Sequence, residues 1–153
     1  EEAGSSFKPE KVKIRKVIKE VCENFKSAIE AKMMNIEMDI DGEVTVIGDK
    51  SLILSVFQNL IENAIKYNNK NNPYIKIELN DGILSIFNSG KTIDTKNIIL
   101  VFDRYFQENQ ENSGFGLGLA IVKEFCDKNK ISINIDTTEF GNQFNLNIKN
   151  IIK

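Results

Sequence analysis

The sequence predicts an α+β protein, a two-layer sandwich with helices packed on one face of a mixed sheet. Two observations predict it. Long segments with apolar residues at helical spacing alternate with short segments of every-other-residue apolar pattern. The short segments come mostly in pairs around Asp-Gly turns, which marks hairpins rather than a purely parallel sheet. At 153 residues the chain is one domain by size and long enough to bury a core without staples. Its 41% hydrophobic and 27% charged residues are those of an ordinary globular protein. Twenty basic against 22 acidic residues leave −2, a balance that singles out neither nucleic acid nor a membrane surface as partner.

The elements follow in order. Residues 1–6 read as a linker or an expression remnant ahead of a domain spanning 7–153. Residues 7–12, with Pro9, read as a short edge strand or an extended lead-in. Residues 12–33 carry Ile14, Val17, Ile18, Val21, Phe25 and Ile29 on one stripe, a first long helix. Residues 35–40 alternate and close on Asp41-Gly42, and 44–47 read as the strand returning from that hairpin. Asp49 is placed to cap the next helix. Past the breaker-rich run 68–73, strands at 74–79 and 83–87 flank Asn80-Asp81-Gly82 as another hairpin. Residues 95–102 read as a short helix and 103–113, with its polar row from Gln107 to Asn112, as a loop. A further helix spans 114–129, and strands at 131–135 and 143–148 finish the chain around a turn at 139–142. Cys22 and Cys126 fall within helical patterns, so buried free thiols in a reducing cytoplasm are expected. No apolar run is long enough to span a membrane and no signal-peptide pattern occurs.

The helix that Asp49 starts has an unusual polar side. Leu52, Ile53, Val56, Phe57, Leu60, Ile61, Ala64 and Ile65 form its apolar stripe. Asn59, Asn63 and Lys66 share the opposite face, with Glu62 beside them. Asn is a poor helix former, and a solvated face more often carries Lys and Glu, so two Asn one turn apart suggest a ligand. A second feature is Gly114, Gly116 and Gly118, spaced every second residue where a helix begins. Glycines admit an anion close to the backbone, and a helix start offers unpaired N–H groups. A Walker A loop would require Lys-Ser/Thr after Gly118, where Leu119-Ala120 stands, and a dinucleotide fingerprint would require a strand before Gly114; neither fits.

Four segments in order carry a resemblance: the polar helix face 59–67, Asn88-Ser89-Gly90-Lys91-Thr92-Ile93, Phe102-Asp103-Arg104-Tyr105-Phe106, and the glycine run. Together they resemble the asparagine, first glycine, phenylalanine and second glycine boxes of the catalytic ATP-binding domain of bacterial sensor histidine kinases, a superfamily shared with gyrase, Hsp90 and MutL. The resemblance covers nearly all of residues 7–153. It implies the Bergerat-type fold, three helices on a roughly five-stranded mixed sheet, with ATP between the asparagine-box helix and a lid. By the same resemblance Asn63 is the Mg²⁺ ligand, Asn59 supports metal and phosphates, Lys66 neutralises phosphate charge and Tyr67 packs on the nucleoside. Tyr67 reads equally as an amphipathic residue closing a helix. Gly114, Gly116, Leu117, Gly118 and Leu119 would close on the phosphates, Arg104 would pair with the γ-phosphate, and Asn88, Gly90 and Ile93 would form the base end of the site.

Departures from the family's pattern matter as much. The usual Asp of the first glycine box, which accepts a hydrogen bond from the adenine amino group, is Asn88, and its second glycine is Thr92. A neutral acceptor in place of a charged one costs on the order of 1 kcal/mol, so weakened ATP binding is expected. Gln107 stands where a second basic residue often follows the phenylalanine box, and Gly141-Asn142-Gln143-Phe144 lacks the Thr that often precedes this Phe. Hydrolysing relatives place a general-base Glu where Asn59 stands, and an amide cannot take a proton from water. That favours phosphoryl transfer over hydrolysis, with catalysis by positioning and charge neutralisation. The sequence contains no histidine, so the phosphorylated residue would lie on a separate dimerisation domain of the same full-length, homodimeric protein. A response regulator is the implied downstream partner, with no role for nucleic acid, and the whole protein would be a membrane-anchored sensor with this domain in the cytoplasm. The alternative is a degenerate nucleotide-binding or sensing module without kinase activity, motivated by Asn88, Thr92 and Gln107.

Overall fold

A computed structural model describes residues 9–93 and 118–153. The chain enters through β1 (Glu10–Lys13) and passes directly into α1 (Ile14–Asn24) and α2 (Lys26–Ala31). The single helix expected over 12–33 is thus two, interrupted at Phe25 (φ −104°, ψ 14°), whose N–H bonds back to the Cys22 carbonyl at 3.1 Å. The periodicity could not reveal the break, because Phe25, Ala28 and Ile29 continue the same stripe against the core on its far side.

The hairpin expected around Asp41-Gly42 does not form. A turn is there, with the Glu43 N–H on Asp41 Oδ1 at 2.9 Å, but its flanking strands part company. β2 (Asn35–Asp39) runs parallel to β4 (Tyr74–Asn80), whereas β3 (Thr45–Gly48) pairs antiparallel with β1, Val12 facing Val46. Alternation specifies which face of a strand is buried but not which strand lies beside it. β4 joins β5 (Ile83–Ser89) through Asp81 (φ 53°) and Gly82 (φ 78°), two successive positive φ values as a two-residue turn between twisted strands requires. α4 (Gly118–Lys128), β6 (Ser132–Thr138), β7 (Gly141–Asn147) and a 3₁₀ turn, Lys149–Ile151, complete the chain.

The main sheet has the order β2-β4-β5-β7-β6, with only the β2–β4 pair parallel, so it is five-stranded and mixed as expected. Ile75, Ile77, Leu84, Ile86, Phe144 and Leu146 face the helices and are buried. The other face is polar: Asn145 links Ser85, Asn134 and Asp136, and Lys76 lies between Glu37 and Glu78. Water, not a second layer, suits that side.

α3 (Lys50–Lys66) is the central helix, in contact with α1, α4 and β5. Its start is fixed by Asp49, whose carboxylate accepts from the N–H groups of Ser51 and Leu52 at 3.0 and 3.4 Å. Ile53, Val56, Phe57, Leu60, Ile61, Ala64 and Ile65 are all buried. Full burial of a residue such as Ile61 contributes about 2 kcal/mol, so this stripe fixes the helix's rotation about its axis. Leu52, expected in the stripe, is instead at its margin and 37% exposed. Both cysteines are free thiols, Cys126 buried and Cys22 half-buried. Among the described residues no helix is long and apolar enough to cross a membrane.

Candidate functional site

With its stripe buried, α3 must turn Asn59, Glu62, Asn63 and Lys66 away from the core. Glu62 and Lys66 are exposed, while Asn59 and Asn63 are half-buried. Each asparagine is anchored to the turn before it. Asn59 Nδ2 donates to the Ser55 carbonyl at 2.8 Å, and Asn63 Nδ2 donates to the Asn59 carbonyl at 3.1 Å. Back-bonding of this kind orients a side chain rather than stabilising a helix. It spends the NH₂ of each amide and leaves each Oδ1 without a hydrogen-bond donor among the described residues. Two oriented, neutral, hard oxygen acceptors one turn apart are the donor chemistry that a small divalent cation and its waters accept. Lys66, in the last turn, extends its ammonium to 5.7 Å from the Tyr67 ring centroid and forms no ion pair among the described residues. A positive charge there is also favoured by the negative end of the helix dipole.

The end of α3 is locked to the ends of β4 and β5. The Tyr67 N–H bonds to the Asn63 carbonyl at 3.1 Å. Asn68 then acts as a hub. Its Nδ2 donates to the carbonyls of Ala64 and Tyr74, both at 3.0 Å. Its Oδ1 accepts from the Tyr74 N–H at 3.1 Å and from the Ser89 hydroxyl at 2.6 Å. Gly90, at φ 143°, passes so close to the Tyr67 carbonyl oxygen that a β-carbon would collide with it. The helix carrying Asn59 and Asn63 and the segment Asn88–Ile93 are thereby held together.

Asn88 lies on β5 with the parity of Leu84 and Ile86, so it faces the helix layer, and it is buried. Its Nδ2 donates to the Ser89 carbonyl at 3.0 Å, and its Oδ1 receives no hydrogen bond from any described residue. A buried, unpartnered acceptor costs about 1–3 kcal/mol, a cost that a ligand relieves when it supplies the missing donor.

The turn after Asn88 rests on the β6–β7 hairpin. The Gly90 N–H donates to the Phe140 carbonyl at 3.1 Å, and the Thr92 hydroxyl donates to the Thr138 carbonyl. Asn142 closes the arrangement: its Oδ1 accepts from the Ile93 N–H at 2.9 Å and its Nδ2 donates to the Lys91 carbonyl at 2.9 Å. Asn68 and Asn142 are the structural residues that sequence reasoning missed. Asn68 sits among Asn69, Asn71 and Asn72, and nothing in that run sets it apart. Asn142 did carry a signal, since a polar residue in phase with Phe144 and Leu146 must point inward.

At the glycine run the described chain resumes with Gly118, which opens α4 beside α3. Leu119 is fully buried, so its side chain belongs to the core and only its backbone is available to a ligand. Arg104, Gly114, Gly116 and Leu117, together with the helix expected over 95–102 and the loop over 103–113, lie outside the described residues.

Comparison with known proteins bears on the fold and the family. Residues 48–150 match the family described as histidine kinase-, DNA gyrase B-, and HSP90-like ATPase. The chain is 30% identical over 131 residues to the heme sensor protein HssS of Staphylococcus haemolyticus strain JCSC1435, covering 84% of this chain and 28% of that protein. It is 26% identical over 146 residues to HssS of Staphylococcus aureus strain Newman, covering 92% of this chain and 32% of that one. The chain therefore spans less than a third of the length of these curated relatives. Among solved structures, the nucleotide-free catalytic domain of histidine kinase ThkA superposes with a TM-score of 0.81 at 26% identity, covering 91% of this chain and 95% of that one. The mycobacterial sensor histidine kinase MprB gives 0.77 at 26% identity, over 90% and 94% of the two chains. The chain belongs to the histidine kinase-, DNA gyrase B-, and HSP90-like ATPase family, as an ATP-binding catalytic domain of the sensor histidine kinase kind.

Proposed function

We propose that this domain, residues 7–153 after a linker of residues 1–6, binds Mg-ATP and transfers its γ-phosphoryl group to a histidine on a separate dimerisation domain. The observation that carries the reading is the pair Asn59 and Asn63, each with its NH₂ tied to the helix and its oxygen left for a ligand. Asn63 offers one amide oxygen toward Mg²⁺, which would take its remaining ligands from phosphate and water. The ion would supply charge neutralisation on the transferring phosphoryl group. Asn59 orients water or phosphate oxygen beside it, and Lys66 adds a positive charge. At the base end, the Asn88 oxygen is an acceptor suited to the adenine amino group. Arg104, Tyr67 and the backbone of Gly114, Gly116, Leu117, Gly118 and Leu119 are proposed to complete the phosphate and nucleoside contacts.

An amide at position 59 also bears on the reaction. It has no basic site to deprotonate water, so the arrangement favours an acceptor brought by another domain. The implied assembly is a homodimer joined through that histidine-bearing domain, serving a response regulator, on the cytoplasmic side of a membrane sensor. Labelled γ-phosphate offered together with the histidine-bearing domain tests this. Acid-labile label should appear on the acceptor with the native chain, and transfer should fall at least a hundredfold with Asn63→Ala, about 3 kcal/mol of lost positioning. Undiminished transfer by Asn63→Ala would refute the metal-ligand role. Steady phosphate release without an acceptor would indicate an ATPase instead.

A further inference from the structure

Asn142 is buried, and both ends of its carboxamide are committed to one short segment: Oδ1 to the Ile93 N–H and Nδ2 to the Lys91 carbonyl, each at 2.9 Å. It also stands directly across the β5–β7 ladder from Asn88. One side chain thus spans the turn that follows Asn88 and ties it to the strand facing Asn88. An amide suits this arrangement. Its donor and acceptor lie on separate atoms, so it makes both bonds at full length, whereas a carboxylate would face the Lys91 carbonyl with a second acceptor. From the outer side, the Thr92 hydroxyl pins the same turn to Thr138.

We infer that Asn142 is a specificity-determining positioning residue: it holds the Gly90–Ile93 turn so that the Asn88 oxygen meets the amino group of an adenine base. This rests on the ATP reading above and deepens it. Asn88 is neutral and so gives a weaker bond than a carboxylate, which makes its placement count for more. Its NH₂ is held by the Ser89 carbonyl, so in this arrangement it offers the base an acceptor only. Guanine presents a carbonyl oxygen at the corresponding position, and two acceptors facing each other repel. The Ser89 carbonyl that holds this NH₂ belongs to the peptide entering the turn at Gly90, so if the turn is freed that carbonyl can shift, Asn88 can present its NH₂ to the base, and the discrimination is lost.

The test is calorimetric titration of the native chain, Asn142→Ala and Thr92→Val with Mg-ATP and with Mg-GTP, alongside thermal melting. The native chain should prefer Mg-ATP. Asn142→Ala should lose roughly tenfold in Mg-ATP affinity, the effect of one to two hydrogen bonds, while Mg-GTP affinity holds or rises. Thr92→Val, at a less buried position and so less exposed to any failure of folding, should shift the ratio in the same direction by a smaller factor. A purely structural role would weaken both nucleotides together. Parallel weakening, or an unchanged ratio in both variants, overturns the inference and leaves the ATP reading standing. Absence of Mg-ATP binding by the native chain overturns both.

Discussion

The Asn63 carboxamide is committed to the helix through its NH₂ alone, which leaves its oxygen for the metal role proposed above. Its NH₂ satisfies the Asn59 carbonyl, so the oxygen is oriented without help from any other described side chain. Asn59 repeats the device one turn earlier, where a hydrolase of this superfamily would carry a carboxylate. Both residues cost the helix something, up to about 0.7 kcal/mol each relative to Ala. Asn88 is the third amide, buried where the family has Asp. Asn88→Asp should tighten Mg-ATP binding by roughly fivefold to tenfold, because a charged acceptor strengthens the bond to an amino group by about 1 kcal/mol. The same change should lower the melting temperature of the ligand-free protein, since a carboxylate then faces the Ser89 carbonyl that now accepts from Asn88. Calorimetry and a melting curve measure the two effects separately, and an affinity unchanged by the added charge would remove Asn88 from the base contact.

At the scale of elements, α3 is where sequence and structure agree most closely. Its apolar period, its Asp49 cap and its polar face could all be read in advance because each is local, set by spacing within a few turns. The cap is testable alone: Asp49→Ala should destabilise the domain by about 1 kcal/mol in urea unfolding, through loss of the bonds to Ser51 and Leu52. An unaltered midpoint would mean that packing of the stripe fixes the helix start without the cap. The expected hairpin at Asp41-Gly42 failed for a non-local reason. Its turn is real, but β3 finds its partner in β1 and β2 finds its own in β4, thirty-odd residues away in sequence. Asn68 was opaque for a similar reason, since its partners are α3, β4 and Ser89, which only the tertiary fold brings to it. Local grammar identifies elements and caps; it cannot identify which neighbour a polar side chain will meet.

For the whole molecule, the α3–α4 layer over a five-stranded sheet buries the apolar residues of both and leaves the far face of the sheet polar. One consequence is a dependence of stability on alkaline pH. Burial pushes the Cys126 thiol up to about 12, against 9.0 for a free thiol, and raises Cys22 as well. The folded state therefore holds these protons where the unfolded chain releases them. Their contribution is complete below the unfolded value and is lost as pH rises from about 9 toward 12. Unfolding free energies measured across that range should fall less steeply in Cys126→Ala than in the native chain, and equal slopes would place the thiol in a more solvated setting. The membership of the chain in its family was readable as a constellation of four segments, although no one of them sufficed. The central claim is that α3 presents amide oxygens to a metal-bound nucleotide, and titrating Mg-ATP into the native chain and into Asn63→Ala by calorimetry tests it most directly. Binding should require Mg²⁺ in the native chain and be lost in the variant, whose melting temperature should be no lower than that of the native chain. No heat at millimolar nucleotide, or equal affinity in the two proteins, would contradict it.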